Sequence, residues 1–129
     1  MTFSSKFEAK YGKDGKQFMK KWIAALESGR IKRLEGQLGN QNGMCCLGVA
    51  CEVLHKDGLV TKELKPSGSW HYGNEYSMPS TEIRKKIEEV VGRYVTCANL
   101  AEHNDKGRTF KKTAAVLRTA MKKQGIIIK

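Results

Sequence analysis

Two stretches of this 129-residue chain combine residue types suited to holding a phosphorylated, base-bearing ligand. The first is Asn104-Asp105-Lys106-Gly107-Arg108-Thr109-Phe110-Lys111-Lys112, a tight-turn signal leading into the start of a helix. First-turn amides and the helix dipole favour an anion there. The Thr109 hydroxyl can cap the helix and touch a phosphate, and Asp105 can order the turn or accept from a ribose hydroxyl. Arg108, Lys111 and Lys112 add positive charge. The second stretch is Trp70-His71-Tyr72-Gly73-Asn74-Glu75-Tyr76, where aromatic and polar side chains mix. The rings of Trp70, His71, Tyr72 and Tyr76 offer faces to a base, and their polar neighbours offer hydrogen bonds to its edge. Plainer readings stand beside both: a capped helix start with solvated lysines, and a hairpin pinned to the core by Trp70.

Reactive chemistry is less well supported. Cys51 and His55 lie four apart, one face of a helical turn, and Cys97, His71 or His103 could complete a zinc set. No pair of Cys-x-x-Cys motifs is present, however, and buried free thiols account better for Cys45, Cys46, Cys51 and Cys97 among apolar neighbours. Cys45 with His71 or His103 as base and Asp105 as orienter would make a small hydrolase, given a proximity that spacing does not establish. Glu82, Glu88 and Glu89 fall opposite an apolar stripe and read as solvated surface rather than as an acid/base pair. Neither glycine-rich phosphate-loop pattern occurs, which argues against an NTPase. The expectation is a non-catalytic protein with no metal and no cofactor.

The elements that must position these stretches follow from periodicity. Phe3, Phe7 and Tyr11 are spaced four apart and would form one aromatic stripe on a helix. Asp14 is a candidate N-cap for a helix over residues 15–28 with Phe18, Trp22, Ala25 and Leu26 on one face, closed by Gly29. Residues 30–44 combine an extended run with a Gly/Asn turn, and residues 45–55 read as a buried central helix. A second small hairpin is expected over residues 59–78, with Trp70, Tyr72 and Tyr76 on a strand. Pro79-Ser80 open a helix carrying Ile83, Ile87, Val90 and Val91, and residues 95–102 form a short helix or turn. Thr109 caps a last helix with Phe110, Ala114, Leu117 and Met121 inward, ahead of a terminal buried strand at Ile126-Ile127-Ile128. The fold class expected is α+β: one small domain over residues 1–129, with about four helices packed against a small antiparallel sheet or hairpins.

Charge is the strongest bulk signal. The chain carries 24 Lys and Arg against 13 Asp and Glu, a net +11. Residues 1–33 are net +6, residues 34–105 net −3, and residues 106–129 net +8 with no acid at all. If the two basic segments meet in the fold, they make one strongly positive face that attracts phosphate. Lys111, Arg118 and Lys122 share a face of the last helix and would suit a polymer as readily as a small anion. No apolar run is long enough to span a bilayer and the first residues lack the apolar core of a secretory signal, so the expected setting is cytoplasmic, without membrane contact.

Three segments in order carry a resemblance: Lys21-Trp22-Ile23-Ala24-Ala25-Leu26-Glu27-Ser28-Gly29, Cys45-Cys46-Leu47-Gly48-Val49-Ala50-Cys51-Glu52-Val53 and Asn104-Asp105-Lys106-Gly107-Arg108-Thr109-Phe110. Together they resemble a group of small, mostly uncharacterised tailed-phage accessory proteins with a Lys-Trp-x-x-Ala-Leu-x-Ser-Gly helix, a Cys-Cys-Leu-Gly-Val helix and an Asn-Asp-x-Gly-x-Ser/Thr-Phe turn. The resemblance implies a phage setting inside a host cell and supplies no general activity. By analogy with other short phage proteins it points to opposition to host defence. The leading expectation is sequestration of a phosphorylated nucleotide, such as a host immune signal, in a basic, aromatic-bearing cavity that a homo-oligomer would help to enclose. A basic nucleic-acid-binding protein acting on DNA or RNA is the alternative, and an inhibitor that binds a host defence protein is a third reading.

Overall fold

The computed structural model describes residues 2–129. Among these residues, six helices and two two-stranded antiparallel sheets make an α+β domain. Helix α1 (Phe3–Tyr11) starts where the Thr2 hydroxyl accepts from Ser5 N, and its aromatic stripe faces inward as its four-residue spacing predicts. Phe7 packs on Tyr11 and on Phe18 at centroid distances of 4.8 and 5.2 Å, and Phe18 packs on Trp22 at 5.6 Å. This ladder docks α1 on α2 (Lys16–Glu27). The N-cap of α2 is Gly15, with Asp14 one residue earlier accepting from Lys16 N. Gly15 has a positive φ of 70°, and a Cβ there would strike Val90.

Helix α3 (Cys46–Lys56) is the centre of the core. Its first six residues are all buried, and the Trp22 indole N–H donates to the Cys46 carbonyl at 3.0 Å. Before it lies the hairpin of β1 (Gly39–Asn40) and β2 (Gly43–Met44), and after it that of β3 (Lys62–Leu64) and β4 (Trp70–Tyr72). An isolated antiparallel bridge, Asn40 to Ser69, joins the two hairpins. The chain then runs through α4 (Thr81–Val90), capped by Ser80, α5 (Cys97–Asp105), opened by a Thr96–Asn99 capping box, and α6 (Phe110–Lys123), capped by Thr109.

Several expectations change in detail. Helices number six among the described residues rather than about four, because residues 3–11 and 97–105 each complete a helix of nine residues. Asn104 and Asp105 end α5 instead of forming a turn, which is confined to the residues after them. Tyr76 leaves the strand: a tight reversal pairs Tyr72 N with the Glu75 carbonyl at 2.9 Å, so only Trp70 to Tyr72 lie in the ladder. The Ile126-Ile127-Ile128 segment is not a strand, since no strand among the described residues pairs with it. Ile128 alone is buried there, while Ile127 is 53% exposed.

The two basic segments meet. Helix α6 packs along α2, and the Arg118 guanidinium grips both carboxylate oxygens of Glu27 across the seam. Farther along, Arg33 donates to the Asn104 carbonyl at 2.5 Å, which fixes the 30–33 segment beside the end of α5.

Candidate functional site

At the α5–α6 junction the side chains divide by role. Asn104 is wholly buried: its amide nitrogen donates to the Leu34 carbonyl at 2.7 Å, and its oxygen accepts from Cys46 N at 3.1 Å. Asp105 accepts from Gly36 N at 3.1 Å. Both side chains are therefore engaged in docking the 34–36 segment and the start of α3. Thr109 accepts from Lys112 N at 3.2 Å, satisfying one first-turn amide of α6. Arg108, Lys111 and Lys112 are exposed and make no ion pair among the described residues.

The aromatic stretch divides in the same way. Tyr72 is buried, and its hydroxyl donates to Glu52 Oε1 at 2.7 Å. The Lys62 ammonium donates to the same oxygen at 2.7 Å and sits 4.2 Å from the centroid of the Trp70 ring. Burial opposes ionisation of Glu52, but the hydrogen bonds from Lys62 and Tyr72 prevail and hold its carboxyl below the usual range. Burial, reinforced by Glu52, pushes the Tyr72 phenol well above its ordinary value. His71 and Tyr76 stack at a centroid distance of 5.3 Å and an interplanar angle of 20°, with Tyr76 53% exposed.

Trp70 is half-buried against the core and borders an open groove of about 490 Å³. The cations of that groove are Arg30 and Lys32, with Asn40, Asn42 and Met44 on its other sides. Arg108, Lys111 and Lys112 are not among its lining. The structure thus pairs Trp70 with the 30–32 segment, which composition marks only as part of an extended run. The available signal is the basic cluster Arg30-x-Lys32-Arg33 directly after the helix-ending Gly29. The two predicted stretches do not share a groove: Asp105 lines a smaller one of about 200 Å³ with Gly36, Cys45, Ser77 and Met78, and none of residues 70–76 lines it.

Cys45 is the N-cap of α3, its sulfur accepting from Gly48 N at 3.3 Å. Burial raises its pKa above the ordinary thiol value despite the opposing backbone hydrogen bonds, and no histidine hydrogen-bonds to it among the described residues. Cys51 is fully buried, and the Nδ1 atom of His55 lies 3.0 Å from the Val60 carbonyl. Among the described residues no three His, Cys, Asp or Glu side chains are grouped to hold a metal ion. No described helix is long and apolar enough to cross a membrane.

No curated protein and no solved structure matches the chain. A family described as a domain of unknown function (DUF8296) matches residues 15–86, from the cap of α2 into α4, so the α5–α6 junction lies beyond the matched span. Because that match covers more than half of the chain and includes both hairpins and the central helix, the protein belongs to the DUF8296 family.

Proposed function

We propose that the protein is a non-catalytic binder of nucleic acid that engages phosphate backbones with the face where its two basic segments meet. The packing of α6 along α2 carries this reading, because it joins a +6 segment to a +8 segment on one molecule. Glu27 neutralises Arg118 at the seam, but Lys111, Lys112, Lys122 and Lys123 on α6 and Lys16 and Lys20 on α2 have no acidic partner among the described residues. A surface of this kind gains little from one small anion, which keeps its hydration in an open groove. A polymer, by contrast, releases a counterion at each phosphate neutralised. The phage resemblance supplies the setting: an accessory protein acting in the host cytoplasm against host defence.

Affinity for a mixed-sequence oligonucleotide should fall by about 10³-fold or more between about 50 and 200 mM salt if six or so phosphates are engaged. Replacing Lys111, Lys112, Lys122 and Lys123 with Ala should reduce the slope of log affinity against log salt by about 0.9 for each duplex phosphate that is no longer neutralised. An unchanged slope, or no binding at low salt, would overturn the proposal.

A second reading, sequestration of a phosphorylated nucleotide, is favoured by the Trp70 groove, whose size falls within the range of about 300–1,000 Å³ found for small-ligand sites. Saturable binding of one nucleotide per groove with weak salt dependence would select it.

A further inference from the structure

We infer that the groove bordered by Trp70, Arg30 and Lys32 takes an unpaired base with its flanking phosphates, so that the protein prefers single-stranded to double-stranded nucleic acid; this rests on the nucleic-acid reading above. The two tryptophans of the chain make the case by contrast. Trp22 is fully buried and its N–H is satisfied by the Cys46 carbonyl. Trp70 is only half-buried, and its N–H, which is not among the buried polar groups left without a partner, stays open to solvent. The indole therefore keeps one polar edge where a ligand can reach it.

The indole is nonetheless held in place. Lys62 lies against its ring and is itself tied to Glu52, which also accepts from Tyr72, so a largely buried network sets the platform before any ligand arrives. The first hairpin packs closely around the groove, with glycines at its tightest points. A Cβ on Gly39 would crowd the Met44 side chain and lie 3.5 Å from the Trp70 ring, while one on Gly43 would overlap the Lys32 carbonyl. The cations are placed by backbone and left free at their tips. Met44 N donates to the Lys32 carbonyl at 2.9 Å, yet the side chains of Arg30 and Lys32 are exposed and unpaired among the described residues. At the rim, Asn40 accepts from Asn42 N at 2.7 Å, fixing the hairpin tip and leaving the exposed Gln41 and Asn42 amides for a base edge. A duplex offers only phosphates to such a groove, because its bases are stacked and paired. An unpaired base can pack against the indole while adjacent phosphates meet Arg30 and Lys32.

The test uses the full chain with a single-stranded mixed-sequence oligonucleotide, its duplex and an abasic single strand, all at one salt concentration. The single strand should bind more tightly than the duplex, and the abasic strand should lose that advantage. Trp70→Ala should weaken single-strand binding by about 5- to 150-fold, the effect of removing one base–aromatic stack, and leave duplex binding unchanged, while Trp70→Phe retains most of it. If Trp70→Ala does not fold, Arg30→Ala with Lys32→Ala changes only exposed side chains and should weaken the single strand more than the duplex. Equal binding of both forms by the wild type, or equal weakening of both by these variants, overturns the inference while salt-dependent binding preserves the nucleic-acid reading. No binding of either polymer overturns both. A mononucleotide bound as tightly as the oligonucleotide also overturns the strand inference and points to sequestration.

Discussion

Asn104 shows how a polar residue suggestive of a ligand contact can be consumed by the fold. Its amide spans the 34–36 segment and the start of α3, and truncation would leave a buried donor at Cys46 and an acceptor at Leu34 without partners. Asn104→Ala should therefore lower unfolding free energy by about 2–4 kcal/mol in denaturant titration, while folded protein below the transition binds nucleic acid as the wild type does. Two carboxylates set the acid response. Burial disfavours the charged forms of Glu52 and Asp57, but Lys62 and Tyr72 in one case, and Tyr11 and Lys21 in the other, hold both carboxyls below their ordinary values. Groups with depressed folded pKa values contribute stability that is full above the unfolded carboxylate range and disappears as pH falls through the folded values. Thermal melts should thus hold steady down to about pH 5 and decline below it, and Glu52→Gln should start lower and decline less. Melts of Glu52→Gln that track the wild type at every pH would show that the network contributes nothing.

At the scale of elements, Gly48 accounts for the close approach of α3 to the first hairpin. A Cβ at that position would overlap the Leu38 carbonyl oxygen, a backbone atom that cannot move aside without displacing the strand region. Gly48→Ala is expected to destabilise the domain by about 3 kcal/mol or more, read by chemical denaturation, despite the higher helix propensity of alanine. Helix α1 is fastened differently. Lys86, only 3% exposed on α4, donates to Ser4 Oγ at 3.0 Å and to Glu8 at 2.9 Å, with the Phe7 ring 5.5 Å away. Removing the carboxylate leaves an ammonium buried with fewer partners, whereas replacing the lysine by an apolar chain removes the desolvated charge altogether. Glu8→Ala should consequently lower the melting temperature more than Lys86→Met does, and the opposite order would mean that the pair is a net source of stability. The last residues are fastened at Ile126, whose N–H donates to the Met121 carbonyl at 3.0 Å, and at Ile128, which is 5% exposed and whose carbonyl accepts from Arg118 Nε at 3.2 Å.

For the molecule as a whole, all four cysteines are buried and free, and burial pushes Cys97 up to about 12 and Cys46 and Cys51 higher still. A thiol reagent at neutral pH should react slowly with native protein and modify four thiols once denaturant is added. A fast native phase would reopen the cysteine-nucleophile reading at Cys45. Helix faces, caps and turns are legible in the sequence because they depend on neighbours within four residues. Thr109, Ser80 and the stripes of α2, α4 and α6 stand where spacing puts them. The terminal isoleucines mislead because an apolar run has the composition of a strand whether or not a partner strand exists, and partners come from other parts of the chain. The site divides along the same line. Sequence by itself determined an α+β domain with a strong positive charge at both ends and identified Trp70, Tyr76, Arg108, Lys111 and Lys112 as chemically apt. Tertiary structure decided which of the candidates remain exposed, burying Asn104 and Tyr72 and turning Trp70 toward Arg30 and Lys32, because burial and pairing depend on contacts between residues far apart in the chain.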